Sequence, residues 1–517
     1  MLYFEPIKIS FVKLFGKKLE QKRVQGGVRP LVKNHKNLIY QHFINGGMEL
    51  AKRELTNVDE PNLYEDFFDF DRVPLIKFDG RVYEEIDGQI VIFDMNEAIK
   101  RDLVITDTTF RDGQQAQPPY TVEQIVTLYD MMAKLGGPNG VIRWTEYFLY
   151  NNKDKEAVAK CLELGHKYPA VTGWIRPIKG EFKLVKDMCL SETGILTSCS
   201  DYHIFYKLRS NRQKTLDEYL EIVELALSEG VRVRCHLEDA TRADIDGFVI
   251  PFVQKLMDIS DQVPEGFKVK VRLCDTLGLG ISYPGVALPR SIPKLMYKMT
   301  HECGVPHERL EWHGHNDFHK VHINASTAWL YGCNAVNTTL FGFGERTGNP
   351  PMEGAIFEYI GLKGDSNGID TNIITEIAEY YTNNIGTEIP AFYPFVGRNF
   401  NVTRAGIHAD GLSKDERIYN IFNTAKLLNR PPRVAITDKS GVDGVALWVN
   451  DYLGLKGDDR ISKTTVAKIA RWVRDQYDVH GRHTAISDEE MAEQTKIHLP
   501  ESVSYTHLRA HETGRNL

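Results

Sequence analysis

Residues 103–136, LVITDTTFRDGQQAQPPYTVEQIVTLYDMMAKLG, decide the fold. An apolar, β-branched run (LVIT) opens the stretch and a polar Gly, Gln and Pro segment breaks it. From Thr121 apolar side chains return at helical spacing, so the stretch reads strand, loop, helix. The same unit recurs downstream. Strand candidates begin near residues 140 (GVIRWTEY), 172 (TGWIR), 194 (GILTS), 231 (VRVRCHL), 268 (KVKVRLC), 310 (LEWHGH) and 335 (AVNTTLF). Helical patterns lie between most of them. In TLDEYLEIVELALSEG (215–230), Leu216, Tyr219, Leu220, Val223, Leu225 and Ala226 fall near one face and Gly230 is a stop signal. Eight such strands over about 260 residues match the count and length of a (β/α)8 TIM barrel, an α/β fold, which we place at 99–365. A doubly wound open sheet seldom needs eight such units in one run.

The flanks read differently. Residues 1–98 form an N-terminal extension whose basic stretch, 8–33, fits a solvated helix face or arm. LIKFDGRVYEEIDGQIVIFD (75–94) carries Asp79-Gly80 and Asp87-Gly88 between β-rich runs, predicting a small β-meander. Beyond 365 the strand rhythm stops. TNIITEIAEYYTNNIG (371–386) and SKTTVAKIARWVRDQYDV (462–479) predict a helical C-terminal region over 366–500. The last residues, 501–517, read as a disordered tail that resembles translated adapter sequence; His507 and His511 within it fit an unstructured segment better than a metal site.

Composition narrows the function. The 517 residues are 42% apolar, enough for several cores, and 63 Lys and Arg against 70 Asp and Glu give a net charge of −7. That is no footprint for nucleic acid. No apolar run approaches the roughly 20 residues of a membrane span, and no secretory leader is evident. The seven cysteines include no C-x-x-C and are odd in number, which fits reduced thiols in a cytoplasm.

In a barrel of this kind the active site stands at the carboxyl ends of the strands. Strand one ends in Arg111 and Asp112. Strand seven ends in His313-Gly314-His315, and because strand side chains alternate with period two, both imidazoles share a face while Gly314 leaves the opposite face uncrowded. Two histidines and a carboxylate converging in a barrel mouth make a facial site for a first-row divalent cation. Ligation by Asp112 is favoured over a salt bridge to Arg111.

Four motifs carry a family resemblance: Asp107-Thr-Thr-Phe-Arg-Asp-Gly113, His313-Gly-His-Asn-Asp317, Gly342-Phe-Gly-Glu-Arg-Thr-Gly-Asn349 and Gly406-Ile-His-Ala-Asp410. In this order they resemble the isopropylmalate, homocitrate, citramalate and Re-citrate synthases, the Claisen-condensing branch of the DRE-TIM metallolyases. The wider wording, WTEYF, GWIRP, SCSDYHIF and ITDKSG, is most similar to the Re-citrate synthases. The resemblance implies a divalent ion (Mn2+, Mg2+, Co2+ or Zn2+), acetyl-CoA as co-substrate, a 2-oxo acid acceptor and a homodimer. It places Asn349 beside the metal. It makes Arg111 the group that stabilises the developing alkoxide. Thr276 would hold the 1-carboxylate, with Gln115, His203 and Glu345 also lining the substrate. His408 and Tyr419 would serve enolisation from the partner subunit, with Glu238 in their network.

The acceptor is read from strand five. Homocitrate synthases carry an arginine at the position of Arg234 that grips a distal carboxylate, so a dicarboxylic 2-oxo acid is expected; an internal salt bridge to Glu238 or Asp239 is the alternative. His236, bulkier than the serine of homocitrate synthases, suggests the shorter oxaloacetate, giving citrate. Homocitrate and isopropylmalate synthases are the alternatives. A lyase of the superfamily would carry a cysteine in the loop 342–349, which has none, and a non-catalytic sensor need not retain Arg111, Asp112, His313, His315 and His408 together. The loop's G-x-G-x-x-x-G spacing, at the last strand, also argues against a dinucleotide site.

Overall fold

The computed structural model describes residues 54–455 and 457–503. The basic stretch 8–33 and the tail histidines His507 and His511 lie outside the described residues. The chain divides into two compact units, residues 1–62 and 63–517, and all that follows concerns the second.

Eight parallel strands close into a barrel: β3 (Val104–Asp107), β4 (Ile142–Phe148), β5 (Ala170–Ile175), β6 (Glu192–Ser198), β7 (Arg232–Glu238), β8 (Lys270–Asp275), β9 (Leu310–Gly314) and β10 (Ala335–Thr338). Each pairs with the next, and β10 returns to β3 from Ala335 opposite Val104 to Thr338 opposite Asp107. Every expected strand is present.

Period-two alternation sorts the side chains. Ile105, Cys235, Leu237, Val271, Leu273 and Trp312 are buried in the main apolar core. Their neighbours Glu146, Arg234, His236, Arg272 and Glu311 are equally buried and joined to one another by hydrogen bonds and ion pairs across the strands, so the barrel interior is charged.

Helix α1 (Val122–Gly136) starts where the sequence signals it, with Thr121 and Gln124 forming a reciprocal capping box. It stops at Gly137, φ +64°, where a Cβ would stand 2.0 Å from the Gly368 carbonyl oxygen. Helix α2 (Arg212–Ser228) buries Leu216, Tyr219, Val223 and Ala226 of the face read from sequence.

The expected meander is a single hairpin. Strands β1 (Val82–Ile86) and β2 (Gln89–Phe93) pair across Asp87 and Gly88, whose positive φ values of 50° and 76° suit a tight turn. Asp79-Gly80 makes no second one, because Ile76 donates its N–H to Gly361 O of the barrel at 2.8 Å rather than to β1.

The C-terminal region builds its own core from Ala409, Ile436, Val445, Val449, Val466, Ile469 and Met491. That core is packed by helices α3 (Gly406–Lys414), α4 (Gly441–Tyr452), α5 (Ala467–Asp478) and α6 (Asp488–His498), whereas the helix Ile373–Tyr380 at the start of the region buries Ile374 and Ile377 in the barrel's core. The region also contains a short parallel pair, Val402–Thr403 with Arg433–Val434, that the helical reading did not anticipate. Among the described residues no helix is long and apolar enough to cross a membrane.

Candidate active site

The loop after β3 wraps tightly. The N–H groups of Arg111, Asp112 and Gly113 all donate to Thr108 O, at 3.1, 2.8 and 3.1 Å. Asp107 anchors the loop from below, accepting from Thr109 N (3.1 Å), Thr109 Oγ1 (2.5 Å) and Thr145 Oγ1 (2.5 Å). Burial pushes the Asp107 carboxyl up to about 6 against these hydrogen bonds. The loop thereby delivers Arg111 and Asp112 to the mouth.

Asp112, His313 and His315 converge there, all buried, with one ligand atom from each lying within 4.8 Å of the others. His313 Nε2 and His315 Nε2 stand 3.3 Å apart and 3.6 and 3.5 Å from Asp112 Oδ2. The other carboxylate oxygen, Oδ1, lies 3.6 Å from Arg111 Nη1, so Asp112 addresses the cluster and the guanidinium with different atoms. Burial opposes the charge on Asp112, but Arg111, His313 and His315 outweigh it and hold the carboxyl near 2. Burial, with His315 beside it, lowers His313 to about 3, and burial lowers His315 too. The site therefore presents an ionised carboxylate and two neutral imidazoles at neutral pH.

That donor set fits a divalent cation. Asn349 adds to it by donating Nδ2–H to Asp112 Oδ2 (2.8 Å) while its own Oδ1 is buried without a hydrogen-bond partner. The face opposite the histidines is not uncrowded as expected: it is packed, and a Cβ on Gly314 would meet Trp312 Nε1 at 3.3 Å, a tight contact.

Arg111 is held by Glu146 of β4, its Nε donating to Oε1 at 2.9 Å. The same fully buried carboxylate accepts from Arg234 Nη2 (2.9 Å) and Arg272 Nη1 (3.1 Å). This corrects the reading of Arg234 as the grip on a distal carboxylate. Its guanidinium is fully buried, bound to Glu146 and to Glu192 (2.8 Å), and lies over the Trp144 ring at 5.4 Å. The internal salt bridge does form, but its partners come from β4 and β6 and not from Glu238 or Asp239, because Arg234 sits lower on the strand than those residues. His236 is neutral, its Nε2 accepting from Arg234 Nε at 3.2 Å; a Cβ on Gly194 would be 2.5 Å from that nitrogen.

Glu238 ends β7 in a separate group. His203 Nδ1 (2.9 Å), Lys207 Nζ (2.7 Å) and the Ser198 hydroxyl bond its Oε2. Burial raises its carboxyl, and those partners overcome this and hold it near 2. Thr276 Oγ1 accepts from Asp239 N at 2.8 Å, leaving its own proton available. Gln115 is exposed, its Nε2 donating to Arg111 O at 3.3 Å, and Glu345 is exposed beside Arg346.

His408, on α3, and Tyr419 are in tilted ring contact, with centroids 4.4 Å apart and planes at 42°, and both are exposed. A Cβ on Gly411 would be 2.6 Å from the Tyr419 ring, so that glycine makes room for the pairing. Among the described residues neither side chain hydrogen-bonds to the barrel. Sequence reasoning missed Glu146, Arg272, Glu311 and Asn337. A signal existed: Glu311, His313 and His315 alternate on one face, so Glu311 points inward with the histidines.

Fold and site together define a (β/α)8-barrel protein with a candidate metal centre at its mouth. The HMGL-like family model matches residues 102–380. A citrate (Re)-synthase of Syntrophus aciditrophicus is 55% identical over 450 residues, covering 87% of this chain and 69% of the relative. One from Clostridium kluyveri is 47% identical over 459 residues, covering 88% and 98%. A 2-phosphinomethylmalate synthase of Streptomyces hygroscopicus is 35% identical over 443 residues, covering 84% and 96%. The chain belongs to the HMGL-like family, and within it to the synthase branch that contains the citrate (Re)-synthases.

Proposed function

We propose that this chain condenses acetyl-CoA with oxaloacetate to give citrate, as a metal-dependent acyltransferase of the cytoplasm that works as a homodimer. The observation that carries the reading is the Asp112, His313 and His315 cluster with Arg111 beside it, in a chain about half identical to two citrate (Re)-synthases. Its seven cysteines are free, which supports a reducing compartment.

Asp112, His313 and His315 would hold the ion, with Asn349 fixing the carboxylate; when bound, the ion supplies Lewis-acid polarisation of the keto oxygen. Arg111, locked by Glu146, stabilises the negative charge that grows on that oxygen as the carbon–carbon bond forms. The Thr276 hydroxyl donates to the 1-carboxylate. His236 and the charge network below it close the barrel and set the depth available to the acceptor, which favours a short 2-oxo acid. His408 of a second subunit takes a proton from the acetyl methyl group, and the resulting carbanion attacks the keto carbon. Protonation of the alkoxide gives citryl-CoA, and water then cleaves the thioester to release CoA and citrate.

The test is a substrate screen. Acetyl-CoA is offered with oxaloacetate, 2-oxoglutarate, pyruvate or 2-oxoisovalerate in Mn2+, Mg2+ or Co2+, and CoA release is followed. Oxaloacetate should be turned over fastest with citrate as product; preference for 2-oxoglutarate or 2-oxoisovalerate would convert the reading to homocitrate or isopropylmalate synthase.

A further inference from the structure

We infer that Asn337 is a positioning residue that sets the tautomer of His313, so that this imidazole turns a bare Nε2 toward the metal. The inference rests on the metal reading above and extends it to a residue on the neighbouring strand.

Glu311 is buried on β9 and accepts from Arg272 through both oxygens, Nε at 2.7 Å and Nη2 at 3.0 Å, so both of its oxygens act as acceptors. The Thr106 hydroxyl on β3 is bonded to Glu311 Oε1, with Val336 O at 3.3 Å as its other acceptor. A hydroxyl has one proton, and both of these neighbours demand it. Toward its third neighbour, Asn337, Thr106 therefore accepts: Asn337 Nδ2 donates to Thr106 Oγ1 at 2.9 Å. That contact fixes the carboxamide, leaving Oδ1 to face His313 Nδ1 at 2.8 Å. A carbonyl oxygen cannot donate, so Nδ1 must carry the proton and Nε2 the lone pair. Nε2 is the atom that stands among His315 and Asp112.

Four residues of the barrel wall, Arg272, Glu311, Thr106 and Asn337, thus define the polarity of one metal ligand. All are buried, so water offers no competing partner. The same arginine reaches Glu146, which holds Arg111, and one continuous chain fastens both halves of the site.

Metal-free protein is titrated with Co2+ by calorimetry, with the visible Co2+ spectrum recorded and histidine 15N shifts measured before metal is added. N337L should weaken Co2+ binding about 10–100-fold and populate both tautomers of His313. N337D, whose carboxylate still accepts the Nδ1 proton but has no donor to offer Thr106, should bind Co2+ less tightly than wild type and more tightly than N337L, and should keep His313 in the single Nδ1–H tautomer. If N337L does not fold, T106V carries the test: it frees the carboxamide to rotate and should weaken Co2+ binding several-fold. Wild-type affinity in N337L, or in T106V where it stands in, overturns the inference alone. A wild-type protein that binds no Co2+ overturns the metal reading and this inference with it.

Discussion

Glu146 is the residue whose replacement should cost most for its size. It is fully buried and shared by three guanidiniums, from Arg111, Arg234 and Arg272, with contacts of 2.9, 2.9 and 3.1 Å. Glutamine keeps the volume of the side chain but removes the charge and turns an N–H2 group toward at least one cation. Breaking a buried ion pair from one side costs about 3–5 kcal/mol, because the partner charge is left uncompensated. At about 2 °C per kcal/mol for a large domain, E146Q should lower Tm by roughly 6–10 °C. Activity should fall separately, since Arg111 loses the anchor that aims it at the keto oxygen; a displacement near 1 Å is worth about 10²-fold. Calorimetric melting and kcat/KM with oxaloacetate measure the two effects. An E146Q protein that melts within about 1 °C of wild type and keeps its kcat/KM would refute both the charge accounting and the placement of Arg111.

Other perturbations probe separate parts of the account. H408A should reduce kcat by about 10²–10⁴-fold with 2-oxo acid binding intact; mixed dimers of H408A and R111A should regain activity that neither parent has, and no recovery would place the base on the same subunit. Glu238 has a folded pKa near 2 against an ordinary 4.5, so it stabilises the fold above about pH 4.5 and loses that contribution as pH falls toward 2. E238Q should therefore flatten the acid limb of a stability–pH curve by about 3 kcal/mol, read by urea melts. G194A would press a Cβ onto His236 Nε2 at 2.5 Å and should cost about 1–3 kcal/mol, most of it recovered in G194A/H236S. If the double variant is no better than the single, His236 is not what Gly194 accommodates.

How far the sequence could be read depended on the range of the interaction. The barrel was legible because each strand–loop–helix unit advertises itself locally: LVIT, then Thr121 capping α1, then Gly137 ending it. The ligands were legible because His313-Gly314-His315 needs only strand alternation to share a face. Arg234 misled because its charge was visible and its partners were not; Glu146 and Glu192 lie 88 and 42 positions away and meet it only when the barrel closes. Asn337 was silent for the same reason, since its meaning lies in the direction of hydrogen bonds that cross from β9 to β3 to β10. Asp79-Gly80 shows the opposite failure, a strong local turn signal overridden by the bond from Ile76 to the barrel.

Metal-assisted condensation at Asp112, His313 and His315 is tested most directly by citrate formation across chelation. Citrate made from acetyl-CoA and oxaloacetate is measured in protein as purified, after exhaustive EDTA treatment, and after Mn2+ is returned, with H313A in parallel. Wild type should fall to background and recover, while H313A stays silent because two remaining ligands hold the ion poorly. Undiminished citrate formation by wild type shown to be metal-free by elemental analysis would contradict the account.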